Sequence, residues 1–222
     1  MGVFAALGTA LCWAIAARLF RGTGNAFSPL TMNFWKGLIS IAILAVVLMV
    51  VQPTGLSTHA VLWLLLSGLI GIGIGDTCFF KALQSIGDSQ AVLVAETLAP
   101  LFTALFAMAF IGEWITWQQW VGIAVVLFSV DMVIKVRKRS TTHVFATSGY
   151  LYGVGAALCQ AVGAVVSRDI LSAGEVDAAS AAFLRLVGGM VFVVPFIALT
   201  KTRYMPVIDY QSINGKRIWP AF

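Results

Sequence analysis

Charge is what this sequence has least of. Only 10% of its 222 residues are Asp, Glu, Lys or Arg, against about 25% in an average soluble domain. Too few charges remain to cover the surface of a water-soluble fold of this size. Cysteine is also scarce, and Cys12, Cys78 and Cys159 all sit inside apolar runs with no metal-ligand spacing, which leaves them as small packing residues. The two histidines, His59 and His143, fall in polar separators far from one another, and no Gly-rich phosphate loop, nucleophile triad or metal cluster is present. Cofactor chemistry therefore has no sequence support. The net charge of +5 comes from basic residues scattered among separators rather than gathered in one stripe, so nucleic acid is not an expected partner. A cleaved signal peptide is excluded too: Ala14-Ile15-Ala16 resembles a cleavage site, but no positive segment precedes it.

What the chain has instead is apolar length. It is 60% hydrophobic, with a mean hydropathy of +0.95. Runs long enough to cross a bilayer, about 20 residues each, fall near 3–20, 29–51, 60–86, 89–111, 115–136, 148–170 and 178–200. Each is a continuous apolar block and not a ten-residue alternation, which favours helices over a β-barrel. The expected class is an all-α integral membrane protein of about seven transmembrane helices, with the lipid bilayer as its partner. Trp114, Trp117 and Trp120 cluster at one junction, as an interfacial aromatic belt does. Lys and Arg follow spans one, five and seven and are missing after spans two and four, so the positive-inside rule places the N-terminus outside and the 135–143 loop in the cytoplasm of a cell-membrane protein.

The stretch Gly149–Arg168 replays Gly2–Arg21. Gly2/Gly149, Gly8/Gly155, Ala10/Ala157, Leu11/Leu158, Cys12/Cys159, Ala14/Ala161, Ala17/Ala164 and Arg21/Arg168 are identical in register. A repeat within a chain of apolar spans is the mark of a two-fold transporter scaffold.

Four ionisable residues lie well inside spans: Lys36, Asp76, Glu96 and Arg185. Each costs about 2.5–3.5 kcal/mol at a helix centre on the insertion scale, which marks it as functional or paired. Lys36 and Arg185 correspond across the repeat, through Asn33-Phe34-Trp35-Lys36 and Ala182-Phe183-Leu184-Arg185. They read as a cationic lining for an anionic or zwitterionic substrate; the plain alternative is that they pair or snorkel. Glu96 precedes Pro100 by one helical turn, and proline has no N–H for the carbonyl of residue 96. An acid and a freed carbonyl at one depth make a cation or proton site. Asp76 closes Gly73-Ile74-Gly75-Asp76, formally the G-x-G-D of intramembrane aspartyl proteases, but that chemistry needs a second aspartate. Asp131 is the one other candidate at membrane depth, and it stands one turn before Lys135, a natural ion-pair partner. Ser67, Gly71 and Gly75 form a ladder of small residues suited to close helix packing. A retinal-type receptor is disfavoured because span seven offers Arg185 and no lysine.

Ala82-Leu83, Ala91 through Pro100-Leu101-Phe102-Thr103-Ala104-Leu105, Gly112-Glu113-Trp114-Ile115-Thr116 and Gln119-Trp120-Val121-Gly122 together resemble the EamA domain of the drug/metabolite transporter superfamily. The resemblance implies a ten-helix carrier built of two inverted five-helix repeats, moving small metabolites by alternating access, and no enzyme. On this reading 1–136 is a first EamA repeat, 137–147 a basic connecting loop, and 148–222 the start of a second repeat. Ile218-Trp219 then matches Leu62-Trp63 at the opening of span three, and the chain reads as a fragment of the ten-helix carrier, the alternative being a truncated membrane protein that does not transport. The expected pathway residues are Lys36, Asp76, Glu96 and Arg185, with aromatic walls such as Trp13 and Phe80 and a helix break at Pro100. Substrate, direction, coupling ion and oligomeric state have no signal in the sequence.

Overall fold

A computed structural model describes residues 2–23, 27–51, 57–112, 114–138, 147–174 and 176–202. Among them there are seven helices and no strand: α1 (Gly2–Thr23), α2 (Pro29–Val51), α3 (Thr58–Ile86), α4 (Asp88–Ile111), α5 (Trp117–Lys138), α6 (Thr147–Ser172) and α7 (Ala178–Thr200). These fall on the seven apolar runs to within a few residues. The chain is an all-α integral membrane protein, and α2, α3, α4, α6 and α7 are long and apolar enough to cross a bilayer. With no water to satisfy backbone N–H and C=O groups, a continuous apolar run has to close its hydrogen bonds within itself. Leu7, Leu11, Ile15 and Leu19 recur every fourth residue along α1 and are all exposed, as side chains against lipid are. The Asp131–Lys135 pair, Glu113, the 139–146 part of the basic loop, His143 and Ile218-Trp219 concern side chains or segments outside the described residues.

The turns explain much of the motif-like sequence. Gly87 (φ 82°) alone separates α3 from α4, a backbone conformation that side chains with a Cβ resist. At the other end of α4, Gly112 takes the left-handed conformation that stops the helix. Four residues later stands Thr116, whose amide (2.8 Å) and hydroxyl (3.0 Å) donate to the Gln119 side chain reaching back. This is the glutamine half of a capping box, at the start of α5. Much of the spacing from Gly112 to Gln119 is thus one helix stop and one helix start.

Helix α3 is the centre of the bundle. It packs along α6 on one flank and against α7 and α2 on another, while α6 also lies along α4. Helices α6 and α7 touch each other little, since α3 wedges between them. The ladder of small residues makes this possible. The Ser67 and Ser167 hydroxyls lie 3.0 Å apart, Gly71 faces Gly163, Gly75 faces Cys159, and Gly149 meets Ile86. The descending partner numbers show that α3 and α6 run antiparallel along their shared length. Close approach of this kind supplies the dispersion contacts that hold helices together where lipid offers no hydrophobic drive.

Between Leu69 and Gly75, α3 widens into a π-helical turn. Asn33 of α2 braces it, donating to the carbonyls of Ile72 (2.9 Å) and Gly73 (3.2 Å), and Thr77 donates to Gly73 as well (2.6 Å). Side-chain donors thereby meet carbonyls that a regular ladder would have paired internally. The insertion also rotates every residue after it relative to a straight α-helix, Asp76 first among them.

Asp177 caps α7, accepting from the amides of Ala179 (3.0 Å) and Ser180 (2.9 Å). Hydrogen bonding from Ser180, then from Ala179, holds its carboxyl below the ordinary carboxylate range. The capping contribution is therefore complete above the unfolded value of about 3.9 and is lost as pH falls through the lower folded value. Asp177→Ala should cost about 1 kcal/mol at neutral pH. Thermal unfolding in detergent at pH 7 and again near pH 3 checks this, and the variant's deficit should shrink at the acid end.

Candidate functional site

The middle of the bundle divides into a packed half and an open half. On the packed side, Phe79, Phe80, Leu83 and Ile86 of α3 are fully buried against Ala17, Met32, Ala91, Ala95 and Ala156, with Phe20, Phe27 and Tyr150 around them. On the open side two clefts descend between helices. One, of about 580 Å³, lies between α4, α5 and α6 and is lined by Glu96, Pro100, Thr103, Gln119, Gln160 and Arg168 among others. The second, of about 730 Å³, lies between α1, α4 and α6 and includes Thr9, Cys12, Trp13, Ala16, Glu96 and Gln160. Glu96 and Gln160 are common to both, so they stand on the divide between the clefts, next to the packed floor.

Trp13 joins the two halves. Its indole N–H donates to Glu96 Oε1 at 2.6 Å, and its ring stacks on Phe79 with centroids 5.5 Å apart. One side chain is thus bonded to the acid of the clefts and packed into the floor. A charge-assisted bond of this length is among the stronger neutral-donor contacts to a carboxylate.

Within the packed half, Lys36 Nζ is ion-paired with Asp76 Oδ2, and the ammonium also lies over the Phe80 ring, 5.7 Å from its centroid. Asp76 is near enough to act electrostatically on both Arg185 and Glu96. The four membrane-depth charges therefore form one neighbourhood with Asp76 at its centre. Arg185 runs between α3 and α6, where its guanidinium lies against Gly71 and Gly163, and its Nε has no hydrogen-bond partner among the described residues.

Of the six expected pathway residues, Glu96 and Trp13 line the clefts, as does Pro100, the expected helix break; it lies inside α4, which continues past it. Lys36, Asp76, Arg185 and Phe80 line neither cleft. Phe80 has no exposed surface and belongs to the floor. Sequence reasoning overlooked Gln160, although the repeat pointed to it: in the register that pairs Cys12 with Cys159, Gln160 falls on Trp13. It also overlooked Asn33, which sequence alone does not distinguish from any polar residue near a helix start. For the protease reading, the group that meets Asp76 is the Lys36 ammonium, where that chemistry requires a second carboxyl.

Residues 1–134 match the model of the EamA-like transporter family. The pseudopaline exporter CntI of Pseudomonas aeruginosa, in two strains, is 28% identical over 156 residues, which is 70% of this chain and 54% of the exporter. The chain thus spans about half the length of those exporters. A protein of Sinorhizobium sp. described as an uncharacterized transporter in the cobO 3' region is 27% identical over 124 residues, 50% of this chain and 86% of that protein.

Proposed function

The chain belongs to the EamA-like transporter family, and from that premise we propose that it carries a small metabolite across the cell membrane by alternating access and is not an enzyme. The observation that carries this reading is Glu96, at the foot of two clefts on one side and above a packed floor on the other. That is the form of a carrier open to one face and closed to the other, with its ionisable site between the two. The floor, made by Phe79, Phe80, Leu83 and Ile86 under the Lys36–Asp76 pair, is the closed gate. Lys36 and Asp76 act as gate charges, and Glu96 is the site where a proton or the substrate's cationic group binds. Export is the direction that the name of the exporter from Pseudomonas aeruginosa favours. On the positive-inside argument the clefts, which adjoin the first turns of α1 and the α4–α5 junction, face outward. The unit 1–136, the connector 137–147 and the partial repeat 148–222 are then one five-helix repeat with the first two helices of its inverted partner.

Glu96→Gln keeps the size and the acceptor for Trp13 but removes the charge. In cells expressing the chain, efflux of labelled amino acids and nucleosides should include a component that depends on the pH gradient, and Glu96→Gln should remove that component. Gradient-dependent efflux that continues unchanged in the variant would overturn the role given to Glu96.

A further inference from the structure

We propose that Gln160 is the alternate hydrogen-bond partner of Glu96, taking the carboxylate over from Trp13 when the floor beneath it opens. The proposal rests on the alternating-access reading above and names the residue that makes the exchange possible. Trp13 cannot stay where it is through such a cycle, because its ring is stacked on Phe79 and packed against the floor cluster. Parting the floor moves Trp13 and breaks its 2.6 Å bond to Glu96. A half-buried carboxylate that loses a donor is destabilised, and a second side-chain donor lining the same clefts offsets that loss.

Gln160 has the placement and the chemistry for this role. Among the described residues it is the only other one that lines both clefts with Glu96, and its amide carries donors as well as an acceptor. It makes no hydrogen bond to any other described residue, so nothing has to be broken for it to turn. Its helix is closely packed on both sides, through Gly153 against Val94 of α4 and Gly163 against Gly71 of α3, so the proposed exchange is a movement of the side chain and not of the helix. Trp13 and Gln160 occupy equivalent positions in the two copies of the sequence repeat, so the two donors approach the clefts from corresponding helices, α1 and α6.

The two donors then bias the equilibrium in opposite directions, and that is measurable without a known substrate. The parent carries Cys12→Ala, Cys78→Ala, Cys159→Ala and the reporter Ala91→Cys, a fully buried position in the floor. Its rate of maleimide labelling in membrane vesicles reports how often the floor opens. Trp13→Phe keeps the ring for stacking but loses the N–H, and should raise labelling about tenfold, the scale of one hydrogen bond to a charged group. Gln160→Met keeps the volume but loses the donor, and should lower labelling by a similar factor, while Gln160→His, which keeps an N–H, stays nearer the parent. Gln160→Leu serves as a second donor-free variant, with gel filtration to verify a monodisperse fold. Unchanged labelling in both donor-free variants, or a change in the same direction as Trp13→Phe, overturns the proposal. In a Glu96→Ala background both effects should vanish. Their persistence there would refute the exchange on Glu96, and the efflux assay on Glu96→Gln judges the carrier reading separately.

Discussion

Gly68→Ala should destabilise the bundle by about 3 kcal/mol or more, at the upper end of what overpacking costs. A Cβ built on Gly68 would stand 1.9 Å from the Arg185 carbonyl oxygen, and one on Gly188 would stand 2.1 Å from that of Leu65. In both cases the obstacle is backbone, which cannot rotate aside as a flexible side chain can. The only relief is for α3 and α7 to separate, and that forfeits the close packing around them. Gly188→Ala should therefore act alike. Gly155 and Gly122 are also helical glycines but have nothing within 4 Å of an added Cβ. Alanine there should be neutral or stabilise by up to about 1 kcal/mol through helix propensity. Thermal unfolding of the four variants in one detergent provides the comparison. Equal behaviour of Gly68→Ala and Gly155→Ala would mean that the α3–α7 crossing is not as close as described.

Asp76→Asn is expected to rival that loss, at about 3–5 kcal/mol, the cost of breaking a buried ion pair from one side. It leaves the Lys36 ammonium in a low-dielectric setting without its counter-charge and removes the negative neighbour of Arg185. Lys36→Met alone should be harmful for the converse reason. The double variant Lys36→Met with Asp76→Leu should recover much of the loss, because an apolar pair needs no counter-charge in a bilayer. A double-mutant cycle on unfolding free energy checks this; additive single effects would show that the two groups do not depend on one another. The same pair holds the floor closed in the carrier reading, so the double variant should fold yet transport poorly.

The fold was legible to an unusual degree because its strongest constraint is local. Each apolar run has to be helical in lipid whatever its neighbours do, and Gly87, Gly112 and the Thr116–Gln119 box mark where helices stop and start. The small-residue ladder of Ser67, Gly71 and Gly75 could be read for the same reason: its period is that of the helix itself. The site was legible only as a set of candidates. Lys36 and Arg185 looked like a cationic lining, yet Lys36 is paired with Asp76 and Arg185 is laid between α3 and α6. Phe80 looked like a wall and is floor.

The sequence by itself determined that this is an all-α membrane protein carrying four interior charges and an internal sequence repeat. Apolar length, backbone satisfaction in lipid and helical periodicity are all properties of short segments, so they can be read along the chain. Only the tertiary structure decided which charge meets which, that Trp13 holds Glu96, and that Gln160 stands on the divide between two clefts. Those choices depend on how each helix is rotated and how closely its neighbours approach. The π-helical turn at Leu69–Gly75 adjusts that rotation just before Asp76, and the bare backbones of Gly68 and Gly188 set the approach.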